Sequence, residues 1–217
     1  MIQHHLPAAL LLDHVAGTLP EAVGVLVATH LALCPACRAE VVLLEDAAGA
    51  LIEDAGPAGD SAGLDALLAR LDEPEAPPTV PPLPPVATDT TLPMPLRGYV
   101  GPFRDLPWKT TLPGVASRVE LPLDFAGIPV TLERVRAGRV VPSHGHDGLE
   151  ITLVLAGGYQ DRGAGYARGD VSALGPETTH GLQIDDDGED CLLLSVRSGA
   201  RVPEGLYARI ASWIGAL

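Results

Sequence analysis

The stretch His30-Leu31-Ala32-Leu33-Cys34-Pro35-Ala36-Cys37 places one imidazole and two thiols within eight residues. The whole chain has only three cysteines, so two of them lie in this segment. Thiolate and imidazole are the ligands that zinc prefers, and structural zinc sites usually have four of them in a tetrahedron. Because the segment supplies three, a fourth ligand is expected from His4 or His5 upstream, and His5 is favoured.

Pro35 determines how this segment folds. Proline disfavours the helical conformation at the preceding residue, so one helix is predicted to end near Leu33 and the next to begin at Pro35. The cysteines would flank the start of the second helix, whose positive end favours the thiolate that binds metal. The alternatives are a pair of buried structural cysteines with a capping histidine, or a redox pair, which would need a βαβ context.

The residues around this segment have a helical and acidic composition. Residues 1–72 are rich in Ala, Leu and Val and carry ten acidic residues against two arginines. The pattern predicts four helices, at 7–16, 20–32, 35–53 and 61–71. Nine of the 23 residues in 73–95 are proline, which is typical of an extended, semi-rigid linker. A domain boundary is therefore predicted there.

Residues 96–217 consist of short apolar runs separated by Gly, Pro and Asp, which favours an antiparallel β-barrel or sandwich. The predicted strands are 115–121, 128–135, 150–155, 170–174 and 191–196, and a closing helix is predicted at 204–216. Cys191 starts an apolar strand and is interpreted as a buried structural thiol. The predicted fold class is therefore α+β in two domains, a small helical zinc-binding domain (1–72) and a β-barrel or sandwich (96–217), joined by the linker (73–95).

A second group of metal-ligating residues follows the pattern Gly138-x5-His144-x-His146-x3-Glu150-x6-Gly157. Residues two apart on a strand share a face, so both histidines can point into a barrel. The fourth ligand is expected from His180, because no other histidine lies downstream. Such a set can hold Zn, Mn, Fe or Ni, and zinc is our prediction. The alternative is a buried cluster that is only hydrogen-bonded, without a metal.

The charge of the chain limits its partners. Its formal net charge is −14, from 28 acidic and 14 basic residues. Such a chain repels phosphate backbones, which argues against direct nucleic-acid binding and favours a basic protein partner. No signal peptide is evident at the N-terminus and no uncharged apolar run of about 18 residues is present, so a cytoplasmic location without a membrane span is predicted.

Both groups of residues resemble known families. His5, His30, Cys34 and Cys37 in an acidic helical domain resemble the zinc-binding anti-sigma domain. The second group resembles the two cupin motifs, of which the first matches fully. The second departs, since Gly175-x-Glu177 stands where Pro-x-Gly is usual and Ile184 where Asn is common.

The combination of both domains resembles the ChrR family of anti-sigma factors. The resemblance implies that the helical domain sequesters an ECF-type sigma factor. It also implies that the cupin is the sensing domain, needed for release of the sigma factor under oxidative stress, notably singlet oxygen. A regulator without catalytic residues is thus predicted. The alternatives are a cupin metalloenzyme (dioxygenase, isomerase or hydrolase) with an accessory zinc-binding domain, or a zinc-stabilised adaptor for another partner.

Overall fold

The computed structural model describes residues 1–55, 62–71, 73, 92–121, 128–199 and 201–203. Helices form the N-terminal part, and the four predicted helices are confirmed there. They are α1 Ala8–Val15, α2 Glu21–Leu33, α3 Pro35–Asp54 and α4 Ala62–Leu68. A fifth helix, α5 Met94–Val100, is not predicted by the sequence pattern. A short 3-10 helix, Phe103–Asp105, follows α5.

The remaining part consists of antiparallel strands in two sheets. The strands are β1 Lys109–Leu112, β2 Ala116–Glu120, β3 Val130–Val135, β4 Val140–His146, β5 Glu150–Ala156, β6 Gly158–Asp161, β7 Ala164–Ala167, β8 Val171–Leu174, β9 His180–Ile184, β10 Cys191–Arg197 and β11 Arg201–Pro203. Their orders are β1-β2-β3-β10-β5-β8 and β11-β4-β9-β6-β7. The α+β class and the five predicted strands are confirmed, whereas the predicted closing helix at 204–216 lies outside the described residues.

Strands β5 and β10 are buried on both faces, which explains their continuous apolar sequences. Along β10, Leu192 and Leu194 pack into one core with the helices, whereas Cys191 and Leu193 pack into a second core between the sheets. A strand covered on both sides has no polar face, so its sequence does not alternate. The six-stranded sheet is therefore the middle layer of the molecule.

The helices cover the outer face of that sheet. α2 packs against α5 and β10, and Leu26 on α2 is fully buried in the core shared with the sheet. Residues 92–95, the end of the proline-rich segment, are described: Leu92 is buried, and Pro93 precedes the first residue of α5. The helical part and the barrel thus share one continuous hydrophobic core. The domain limits 1–72, 73–95 and 96–217 stay a prediction.

The junction of α2 and α3 has the conformation that Pro35 predicts. Cys34 is extended (φ −105°, ψ 103°), and its sulfur accepts a hydrogen bond from the Cys37 N–H at 3.5 Å. The helix axes bend by 115° at this junction. Among the described residues no single helix is long and apolar enough to cross a membrane, and α2 and α3 pass that test only when taken together across the bend.

Candidate metal sites

The first candidate site lies where α2 ends and α3 begins. His30 is in the last turn of α2, Cys34 caps α3 and Cys37 lies in the first turn of α3, and all three are buried. His5 joins them from the segment before α1. One ligand atom from each of the four residues lies within 4.8 Å of the others.

His4, the alternative fourth ligand, points elsewhere. Its Nε2–H donates to the carbonyl of Gly165 at 3.0 Å, and its ring stacks on Tyr166 with the ring centroids 4.2 Å apart. The structure therefore brings His5, and not His4, to the cysteines.

The spacing of the first group fits a tetrahedral ion. His5 Nδ1 is 3.3 Å from Cys34 Sγ and 3.5 Å from Cys37 Sγ, and His30 Nε2 is 3.3 Å from Cys37 Sγ. Ligands at the usual zinc distances in a tetrahedron place a nitrogen and a sulfur roughly 3.6 Å apart. Two nitrogens and two sulfurs with this spacing are a donor set suited to zinc.

Burial controls the protonation of these ligands. The His30 Nδ1–H donates to the carbonyl of Gly169 at 2.9 Å, which leaves Nε2 to face the cysteines. Burial lowers the pKa of His30, so its imidazole stays neutral, the form that binds metal. Burial also raises the pKa of the Cys37 thiol to about 11. Metal binding at this site therefore displaces a proton from sulfur.

The second candidate site lies inside the barrel. His144 and His146 lie on β4, Glu150 begins β5 and His180 begins β9, and all four are buried with ligand atoms within 4.8 Å of one another. His146 Nε2 is 2.9 Å from His180 Nε2 and 3.2 Å from Glu150 Oε2. Donors about 2.1 Å from one ion lie roughly 3.0 to 3.4 Å apart, so this spacing also fits a metal.

Two further buried residues orient ligands of the second site. Asp161, at the end of β6, accepts a hydrogen bond from the His180 Nδ1–H at 3.2 Å. Arg197, at the end of β10, lies 3.6 Å from Glu150 Oε1. A carboxylate behind a histidine ligand and a cation beside a carboxylate ligand fix which atoms face the metal.

Neither Asp161 nor Arg197 stands out as a site residue in the sequence. Asp161 precedes Arg162-Gly163, which has the composition of a turn. Arg197 ends a strand that is otherwise almost entirely apolar. A charged residue at the end of such a strand is the local signal in the sequence that Arg197 has a buried partner.

A cavity of about 10 Å³ adjoins the second site. It is lined by His144, Glu150, His180, the hydroxyl-bearing residues Thr152, Tyr159, Ser172 and Ser195, and two leucines, Leu182 and Leu193. This volume corresponds to about one water molecule, whereas pockets for drug-sized ligands measure roughly 300 to 1,000 Å³. The cavity therefore suits a molecule of the size of water.

Cys191 is separate from both sites. It is fully buried between the sheets, as the sequence predicts, and burial raises the pKa of its thiol to about 12. Alkylation needs an accessible thiolate.

We expect iodoacetamide to label Cys191 at least roughly 100-fold more slowly in the folded chain than in urea, as followed by peptide mass spectrometry. Equal labelling rates in both states would contradict this burial.

The fold and the two sites together define a class of protein, an antiparallel β-barrel that carries a His/Glu cluster and packs against a helical domain with a Cys/His cluster. No family model matches the chain. The anti-sigma-E factor ChrR of Cereibacter sphaeroides is 38% identical over 196 residues, which cover 89% of each chain.

Two solved structures are similar to the chain to different degrees. The crystal structure of Rhodobacter sphaeroides SigE in complex with the anti-sigma ChrR matches 91% of this chain and 100% of that chain, with 36% identity and a TM-score of 0.75. An RmlC-like cupin protein of Ralstonia eutropha matches 46% of this chain and 67% of its own, with 22% identity and a TM-score of 0.41. On the identity and coverage of the curated relative, the chain belongs to the ChrR family of anti-sigma factors.

Proposed function

We propose that this chain binds an ECF-type sigma factor through its helical domain, holds it inactive and releases it under oxidative stress of the singlet-oxygen type, with the cupin as the sensing domain. The relative named an anti-sigma-E factor and the solved complex of ChrR with SigE support the sigma factor as partner. The structural observation that carries the proposal is an exposed apolar face on the helical domain.

The apolar face consists of leucines on α4 and the turn after it. These residues are 50% to 77% exposed, and they are Leu64, Leu67, Leu68 and Leu71. Their i, i+3, i+4, i+7 spacing corresponds to one side of a helix. Leu51 and Ile52 near the end of α3 are also exposed, by 73% and 75%. Exposed apolar helix faces of this kind typically pack into a groove on a partner.

Charge complements this apolar face. Residues 1–72 carry ten acidic residues and two arginines, and exposed Glu53 and Asp65 lie close in sequence to the leucines. An acidic surface around an apolar centre favours a partner with basic residues around an apolar groove. The net charge of the whole chain, −14, also disfavours direct contact with nucleic acid.

Each metal site has its own role in this proposal. Zinc bound by His5, His30, Cys34 and Cys37 would hold the N-terminal segment and the α2–α3 junction in one arrangement, which small domains often need in order to fold. A divalent metal, for which we propose zinc, would be held in the cupin by His144, His146, Glu150 and His180. The cavity beside these ligands, about 10 Å³, is too small for an organic substrate.

The regulatory function is favoured over the metalloenzyme alternative for two reasons. The curated relative, which is 38% identical over 89% of the chain, is a regulator. The cavity of about 10 Å³ is also much smaller than the usual substrate pocket.

We further propose that the protein acts in the cytoplasm, where a sigma factor works, and that its domains divide at residues 72 and 96.

The exposed leucines provide the test of sigma binding. The double substitution Leu67→Asp and Leu68→Asp puts charges into the apolar face without touching the core, since both residues are exposed. Loss of two central apolar contacts costs at least about 3 kcal/mol, so we expect an ECF sigma factor to bind roughly 100-fold more weakly. Isothermal titration calorimetry with the purified sigma factor measures this.

The matched control is Val140→Asp, since Val140 is 53% exposed on β4 of the barrel. It introduces one aspartate, half of the charge added in the double variant, at an apolar surface residue away from the helices, and it should leave the affinity within about twofold of the original value. Equal affinities for the leucine double variant and this control would refute binding through the α4 face.

A further inference from the structure

The N-terminal segment, residues 1–6, is hydrogen-bonded to the turn between β7 and β8 of the cupin. The backbone N–H groups of Gln3 and His4 donate to Asp170 Oδ1 at 2.6 and 2.8 Å. The Val171 N–H donates to the carbonyl of His4 at 3.0 Å. Asp170 is buried, and its other oxygen accepts from the Ala167 N–H at 2.8 Å. One cupin carboxylate thus binds both the segment and its own turn.

His5 is the next residue after this anchored pair. Its side chain extends to the cysteines, with Nδ1 3.3 Å from Cys34 Sγ, from a backbone that the bonds of Gln3 and His4 hold along the β7–β8 turn. Hydrogen bonds to a carboxylate are stronger than those between neutral groups. Asp170 is therefore well suited to fix the backbone of Gln3 and His4. The orientation of this ligand therefore depends on a residue of the barrel.

His30 depends on the same turn. Its Nδ1–H donates to the Gly169 carbonyl at 2.9 Å. Gly169 has a φ of +95°, which side-chain-bearing residues rarely adopt, and a Cβ there would overlap the side chain of Ile2. The turn thus favours a glycine for its conformation, and the Ile2 side chain packs directly against it.

From these contacts we infer that Gly169 and Asp170 of the cupin are positioning residues of the Cys/His site, because they orient two of its four ligands. Asp170 acts on His5 through the backbone, and Gly169 acts on His30 through its carbonyl. The turn continues into β8, where Ser172 lines the cavity beside the second site. A disturbance of the barrel at this turn would therefore loosen metal in the helical domain. The inference rests on the proposed zinc site.

Cobalt(II) in place of zinc tests the inference in the full-length chain. Thiolate ligands give cobalt a near-ultraviolet charge-transfer band, and the His/Glu set has no thiolate, so the band reports the Cys/His site alone. Removal of residues that orient metal ligands typically weakens binding by roughly 10-fold to 100-fold. We expect Gln3→Pro, which removes one N–H donor to Asp170, and Asp170→Ala to lose the band to excess EDTA faster by about that factor.

The matched control is Gln3→Ala, which keeps the N–H and changes only an exposed side chain. It should lose cobalt at the rate of the unaltered chain. If Asp170→Ala fails to fold by circular dichroism, the two Gln3 variants decide, because they leave the barrel unchanged. Equal rates for Gln3→Pro and Gln3→Ala would overturn the inference. Absence of the band from the unaltered chain would instead refute the proposed site itself, and this inference with it.

Discussion

A chain carrying Cys34→Ser and Cys37→Ser is expected to lose one equivalent of bound zinc and to bind its sigma factor at least roughly 100-fold more weakly. Serine hydroxyls are poor zinc ligands, so only His5 and His30 would remain of the four. Structural zinc contributes about 10 to 16 kcal/mol of apparent binding free energy at neutral pH, most of which is coupled to folding in small domains.

Loss of the zinc would destabilise the junction between α2 and α3. Cys34 is the N-cap of α3, and both cysteines are buried in the core that includes Leu11 and Leu26. Without the metal, the position of α3 relative to α2 would no longer be fixed by a bond on each side of Pro35. α3 carries exposed Leu51 and Ile52. The surface proposed to contact the sigma factor would therefore no longer have a fixed arrangement.

Metal analysis by mass spectrometry and titration calorimetry with the sigma factor measure both effects. Cys191→Ala is the matched control, because it removes the third cysteine, which is buried in the barrel and far in sequence from the cluster. It should keep two equivalents of metal and the original affinity. Full zinc content together with unchanged sigma binding in the Cys34→Ser, Cys37→Ser variant would show that the cluster is not a zinc site needed for binding.

The residues that the sequence predicts well are those whose chemistry and spacing are local. His30, Cys34 and Cys37 fall within eight residues, and Pro35 alone predicts where one helix ends and the next begins. His144 and His146 are two residues apart on a strand, which puts them on one face. In each case the geometry follows from backbone conformation over fewer than ten residues.

The contacts between the helices and the barrel are not predictable in this way. Asp170 and Gln3 are hydrogen-bonded although they are 167 residues apart in the chain. Asp170 follows Arg168-Gly169 and has the sequence of an ordinary turn. Helix α5 also goes unpredicted, since Pro93 precedes it and Pro95 lies in its first turn, yet Leu96 is fully buried. Only the packed structure brings these residues together.

The two candidate sites are connected by a stack of aromatic rings. The His4 ring lies on Tyr166, and Tyr166 lies on Tyr159 with centroids 4.8 Å apart. The Tyr159 hydroxyl donates to Ser172 Oγ at 3.4 Å, and both residues line the cavity beside the His/Glu cluster. These packed groups form a continuous series of contacts from the cavity beside the His/Glu cluster to His4, the residue before His5.

His144→Ala together with His146→Ala is expected to abolish release of the sigma factor under singlet oxygen while leaving its binding in the dark within about threefold. The two substitutions remove half of the cupin donors, so metal content should fall by one equivalent, and the N-terminal cluster keeps all four of its own ligands. The sensing domain would then lack the group on which the oxidant acts, whereas the α4 face is untouched.

The measurement is the fraction of sigma factor freed from the purified complex by a photosensitiser under light, resolved by gel filtration. His14→Ala is the control, because His14 lies on α1 outside both clusters and the substitution removes an oxidisable imidazole without changing a ligand. Release should persist in that control and vanish in the double variant. If the double variant still released its partner at the original rate, the signal would have to enter elsewhere. The first place to examine would then be the thiols of Cys34 and Cys37, because sulfur ligands are themselves open to oxidation.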